Sequence, residues 1–263
     1  MRKPAAISLL FLLTSLATMA DDTRVVRKQV ELRPDGRVSL DTFKGTIRVR
    51  TWNQPRVDVV AKIAPDPSGE KQQERVELTE VRISSSSGHV DIESDYSEAS
   101  RVREGFFGAF FGVTGGTMPF IHYEITMPAT ASLEIEDHKS DIQIAGLSGD
   151  LGIETHKGTA RVTSQAGGVR IETHKGDVDI DFASLSRPSR FETHKGEITL
   201  RIPAAARFDL TANLDDDSAD FRSDFEMPVH LTSDGGSVQA RVNGGGPAIR
   251  VETHKGSIRI VKK

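Results

Sequence analysis

Apolar and polar residues alternate along most of this chain, which is the pattern of β-strands. In Val251-Glu252-Thr253-His254, Val251 and Thr253 share one face while Glu252 and His254 take the other. After Lys255-Gly256, Ile258 and Ile260 are apolar and Arg259 between them is not. Thr253 and Ile258 lie five positions apart, so a straight strand would place them on opposite faces. If both point inward, Lys-Gly must bend the chain, and glycine suits that corner because it accepts positive φ without a Cβ clash. The same parity holds for Thr173 with Val178 and for Thr193 with Ile198.

This unit repeats. ETHKG begins at Glu154, Glu172, Glu192 and Glu252, a variant EDHKS begins at Glu136, and a cousin DTFKG begins at Asp41. The starts at 136, 154 and 172 are 18 residues apart, the next is 20 further on, and the last is 60 beyond that. Two degenerate copies are expected to fill that interval, one at Phe208–Asn213 and one at Leu231–Val238. A unit of two short strands and two bends cannot bury its apolar face alone, so copies must stack. Stacking predicts one internal column of Ile153, Ile171 and Phe191 and another of Val162, Ile180, Leu200 and Ile260. The expected fold is all-β, a stacked β-solenoid (β-helix-like) with 18–20-residue rungs. A β-sandwich is the rival, but it has no need of near-identical pentapeptides at fixed spacing.

Before residue 130 the chain is β-rich without a regular repeat. Alternation predicts strands at Val25–Leu32, Ile47–Thr51, Val57–Ile63, Val76–Ile83, Val90–Glu93 and Ile121–Met127, with a short helix over Ser68–Arg75 after Pro67. Residues 21–130 read as an N-terminal cap region continuous with a repeat region at 131–263.

Residues 1–20 read as a signal peptide: basic Arg2 and Lys3, an apolar run from Ala5 to Ala17, and small residues in Thr18-Met19-Ala20. The expected location is therefore periplasmic or secreted. No later run is long and apolar enough to span a membrane, so no transmembrane segment is expected in the mature chain. The chain has no cysteine, which removes disulfides, thiolate metal sites and an acylated-cysteine anchor. With 38 acidic against 34 basic residues, nothing points to nucleic acid as a partner.

Stacking turns each outward repeat position into a ladder. His138, His156, His174 and His194 come from successive copies, with His254 expected three rungs further on. Beside them run Glu136, Glu154, Glu172, Glu192 and Glu252, then Lys139, Lys157, Lys175, Lys195 and Lys255. One reading is a solvated face on which Glu and Lys columns offset like-charge repulsion. A second is a strip that binds divalent zinc, copper or nickel through imidazole and carboxylate, although interleaved lysines repel cations. A third is a pH-responsive surface, since imidazole titrates near ~6.5.

Phe106, Phe107, Phe110 and Phe111 lie among glycines in a 105–112 insertion that reads as a covering loop or a partner-contacting tip. The aspartates at 209, 215–217, 220 and 224 lack the spacing of a calcium loop and read as solvated turn. Neither a phosphate-binding glycine loop nor a nucleophile elbow occurs. Ladders offer no single converging acid/base cluster, so no enzyme and no cofactor are expected.

The stretch HYEITMPATASLEIEDHKSDIQIAGLSGDLGIETHKGTARV, followed by further copies to GSIRIV, resembles a bacterial family of exported β-strand-repeat proteins. Those proteins are labelled putative adhesins and carry a domain of unknown function. The resemblance spans roughly residues 38 to 261 through a recurring T-x-x-G-x-I/V. It implies a signal peptide and a repeat fold, and it supplies no catalytic residues. The uniform His-Lys pair and the phenylalanine-rich insertion depart from it. The function expected is a non-catalytic adhesin-like or scaffold protein presenting flat faces to an unknown envelope or surface partner, protein or glycan. The alternatives are a periplasmic divalent-metal-binding protein and a carbohydrate-active β-helix enzyme.

Overall fold

The computed structural model describes residues 23–102, 116–214, 220–226, 230–231 and 236–263. Residues 1–22, the phenylalanine-rich insertion and Asp215–Asp217 lie outside the described residues.

The repeats pair in parallel and in register. On one face run β8 (Leu151–Lys157), β10 (Val169–Lys175) and the first half of β12 (Ser189–Ile202). On the other run β9 (Ala160–Gln165), β11 (Val178–Phe182) and the second half of β12. Ile153, Ile171 and Phe191 are register partners and buried, as are Val162, Ile180 and Leu200, with Ile260 next in that column. Each fully buried side chain of this size contributes about 1.5–3 kcal/mol.

An open stack of separate rungs is nonetheless not the architecture. β7 (Ser132–Ala145) runs unbroken across both faces, pairing with β8 through its first half and with β9 through its second. β12 does the same for β10 and β11 at the opposite side. The pairings β7–β8–β10–β12–β11–β9 and back to β7 therefore close a ring of 6 parallel strands, a flattened barrel with the other strands outside it. At the corner β12 carries Gly196 while β7 carries Ser140, and both strands fold over the edge of the tube without breaking.

Chain order and spatial order also part company. β2 (Arg37–Trp52) pairs with β7 from Arg37 to Arg50, placing Asp41 beside Glu136. On its far side β2 pairs with β5 (His89–Asp95) and β6 (Phe120–Pro128), which together make one broken rung. At the opposite end β17 (Ala248–Lys262) lies directly against β12, Glu252 beside Glu192. The two degenerate rungs expected between them are not there. Phe208–Leu214 forms β13, which pairs antiparallel with β16 (Ser237–Val242) and parallel with the outer side of β17. β14 (Asp220–Ser223) completes that outer layer, and β15 (His230–Leu231) pairs with β16.

Antiparallel strands cover the N-terminal end. β3 (Arg56–Ala64) lies against β6, β1 (Arg24–Glu31) against β3, and β4 (Glu80–Ser85) against β5. The expected strand Val76–Ile83 is a junction. Val76 lies in helix α1 (Gln72–Leu78), the chain is extended from Thr79, and strand β4 begins at Glu80. Thr79 ends the helix, its hydroxyl donating to the Arg75 carbonyl at 2.8 Å. Among the described residues no helix is long and apolar enough to cross a membrane.

Candidate functional site

The site grows from the E-T-H-K-G segment where each strand turns the corner. The glycines stack, and a Cβ on Gly176 would collide with the Gly158 carbonyl, one on Gly196 with that of Gly176, and one on Gly256 with that of Gly196. Gly158, Gly196 and Gly256 also have φ of 144°, 155° and 150°, where a side chain is strained. Glycine is therefore required by close stacking as well as by the bend.

Strand alternation then sorts the side chains. Thr155, Thr173, Thr193 and Thr253 point inward and are buried. Asp137 stands in that column on β7, its carboxylate accepting bonds from Ser140 Oγ at 2.6 Å and Thr155 Oγ1 at 2.9 Å. Burial is the largest influence on this carboxyl and raises its pKa.

The glutamates occupy the outward side. Glu136, Glu154, Glu172, Glu192 and Glu252 are successive register partners, continued by Asp41 and Glu93 at one end and ended by Asn213 at the other. Asp41 has a raised pKa, first from burial and then from Glu136, Glu93 and Asp91. Arginines two positions earlier offset part of the charge. Arg170 meets Glu172 at 3.4 Å and Arg190 meets Glu192 at 2.9 Å.

The histidines form a single stack. Ring centroids from His138 to His156, His174, His194 and His254 are separated by 4.9, 4.8, 4.8 and 4.7 Å, with planes within 9° of parallel. Phe43 caps the stack on His138 at 4.8 Å. His254 is thus the immediate neighbour of His194, where three rungs had been expected between them. The His194 pKa is lowered, first by desolvation and then by His254, His174 and Lys255.

Between the two columns lies a groove of about 430 Å³ walled by Glu154, Glu172, Glu192 and Glu252 on one side and by His156, His174, His194 and His254 on the other. Threonines form its floor, and Asp137 stands at one end. Its chemistry repeats every strand, so it suits a long ligand rather than a single reacting atom. Among the described residues no group of three or more His, Asp or Glu converges on a metal position.

The structure brings the predicted Glu and His residues together. It leaves the described aspartates of the acidic segment apart from them: Asp209 pairs with Arg241 at 3.1 Å and Asp220 with Arg222 at 2.7 Å. Sequence reasoning missed Phe43, Asp41 and Asp137 as members of the site. The signal was present in DTFKG and EDHKS, whose differences from ETHKG fall on those positions.

Several solved structures are similar to the chain, three of them as follows. One is named a putative cell adhesion protein, from Clostridium sporogenes ATCC 15579, at 9% identity, with 91% of this chain and 100% of that one covered and a TM-score of 0.45. Another is a putative adhesin from Bacteroides fragilis NCTC 9343, at 11% identity, 90% and 97% coverage and a TM-score of 0.40. A third, from Parabacteroides distasonis ATCC 8503, is named a putative lipid binding protein, at 10% identity, 90% and 96% coverage and a TM-score of 0.31. With TM-scores and identities this low, none carries an argument about what this chain binds. No curated protein matches. The family model described as Toastrack DUF4097 matches residues 36–261, most of the chain and the span over which the repeat resemblance was read, and the chain belongs to that family.

Proposed function

We propose that this is an exported, non-catalytic adhesin-like or scaffold protein that holds an extended partner at the envelope or cell surface in its glutamate–histidine groove. The observation that carries the reading is the groove itself, where four carboxylates face four imidazoles along one continuous channel. Such a channel repeats the same contact at each strand, ~4.8 Å apart, and so gains affinity from ligand length. It concentrates no acid, base and nucleophile at one point, which is what hydrolysis of a glycan would need. The leader pattern at residues 1–20 supports export.

The test is a binding screen with the full exported chain against envelope extracts and a panel of cell-wall and capsular polysaccharides. A triple variant, His156→Ala, His174→Ala and His194→Ala, runs beside it. Retention of a partner by the parent and its loss in the variant supports the groove. Equal retention by both places binding elsewhere, and turnover of any polysaccharide removes the non-catalytic reading.

A further inference from the structure

One arginine breaks the pairing rule that its neighbours obey. Arg170, Arg190 and Arg250 are register partners on β10, β12 and β17, each two residues before a glutamate. Arg170 and Arg190 each bond the glutamate of their own strand. Arg250 does not, because Arg190 also reaches Glu252, at 3.9 Å. The next place in the carboxylate column is the neutral Asn213, and the next in the arginine column is Thr211. Arg250 is exposed and has no ion pair or hydrogen bond among the described residues.

These residues line a shallow cavity of about 270 Å³, separate from the glutamate–histidine groove except for Glu252 on its wall. Two guanidiniums, one amide and one hydroxyl converge there, and the only carboxylate on the wall already faces Arg190. Guanidinium forks match the paired oxygens of carboxylate, sulfate or phosphate, and Asn and Thr add donors at the rim. Elsewhere in the arginine column the protein supplies that oxyanion itself.

We infer that the cavity formed by Arg250, Arg190, Thr211 and Asn213 is an oxyanion site that takes a carboxylate, sulfate or phosphate group of an acidic ligand. Arg250 is the main contact, while Arg190 contributes charge but stays tied to Glu192 and Glu252. The site does not depend on the groove binding anything, so either can fail without the other.

Titration calorimetry of the full chain with sodium sulfate, inorganic phosphate and sodium acetate, at ionic strength fixed with chloride, tests it. Saturable binding of any of the three supports the site, and the tightest of them names the group. Arg250→Gln should weaken that binding on the order of tenfold or more, as loss of a charge-assisted hydrogen bond does. Asn213→Glu should do the same by giving Arg250 an internal carboxylate. Arg170→Gln, on a strand outside the cavity, should leave binding unchanged. Absence of saturable binding by the parent chain overturns the proposal. So does an Arg170→Gln loss as large as that of Arg250→Gln. A two-dimensional NMR titration of the arginine side-chain N–H signals reads the same site in chains shown to be folded. It overturns the proposal if the Arg250 signal stays still while others move.

Discussion

The two ends of the parallel ladder carry related pentapeptides, DTFKG on β2 and ETHKG on β17, and treat them in opposite ways. At the β2 end, Lys44 is 6% exposed and donates to Asp66 Oδ2 at 2.5 Å, with its ammonium 4.3 Å from the centre of the Phe120 ring. Phe43 closes the ring stack, and Tyr96 meets it edge-on at 6.0 Å. Behind them Ser94 Oγ donates to Thr42 Oγ1 at 2.8 Å and lies 2.7 Å from the Tyr123 hydroxyl. Burial raises the pKa of both tyrosines, which therefore stay neutral. At the β17 end the equivalent lysine, Lys255, is exposed, His254 continues the imidazole stack, and among the described residues Arg250 has no carboxylate partner. Related motifs therefore seal one end and expose chemistry at the other. The neighbours supplied by the long excursions decide which.

The largest break in this contrast should come from the lysine position. Lys44→Ala leaves the buried Asp66 carboxylate without its countercharge, bonded only by Ser68, and denaturant unfolding should show a loss of about 3–5 kcal/mol. Lys195→Ala, at the same motif position but exposed, should cost no more than about 0.5 kcal/mol. Equal losses would mean that the sealed end is not built around this pair.

Acid stability sharpens the same point. Burial pushes the Asp66 carboxyl up, but hydrogen bonds from Lys44 and Ser68 and the Lys44 charge outweigh it, lowering the pKa from 3.8 to about 2. Between those values the unfolded chain binds more protons than the folded one. The contribution is therefore complete above the unfolded pKa and disappears as pH falls towards 2, roughly 2–3 kcal/mol in all. Unfolding free energies measured from pH 5 to pH 2 should show that decline in the parent chain and little of it in Lys44→Ala.

Tyr123→Phe removes one hydroxyl from the sealed network and should cost about 1 kcal/mol by thermal or denaturant unfolding.

The smallest effect belongs to the exposed stack. His254→Asn should raise the His194 pKa towards its ordinary value in an NMR titration, because a neighbouring imidazole that can carry charge is removed. With its folded pKa below its unfolded one, His194 gives its stability above about pH 6.5 and loses it as pH falls through the folded value. Zinc or copper titrated into the parent chain should release no heat beyond that of a variant with these histidines changed to asparagine. A larger heat would support the metal reading.

Much of the ladder was legible because side-chain period and repeat spacing together fix which residues share a column. Ile153, Ile171 and Phe191 could be aligned without coordinates, and so could the Glu and His columns. Neighbour identity was not legible. Near-identical strands dock equally well on either side of one another, so spacing alone could not reveal that Glu252 sits beside Glu192. Nor could it reveal that β7 and β12 cross both faces and close the ring. Val76 with Leu78 and Val81 with Ile83 each alternate, but the step of three from 78 to 81 breaks the phase where helix α1 gives way to β4 (Glu80–Ser85). Asp137 and Phe43 looked like imperfect copies, yet their environments make them the buried carboxyl of the groove and the lid of the ring stack.

The seating of β17 has a consequence for how the molecule is completed. Its place is between β12 and β13, although both precede it in the chain. Whatever order synthesis or export delivers the segments in, β13 has no parallel neighbour until residues 248–262 slide into that slot. Until then β12 presents an open edge, which is where association with other chains is easiest. Assembly is therefore gated by its penultimate layer, and a chain stalled before residue 248 would be left with a vacant slot flanked by two unsatisfied edges.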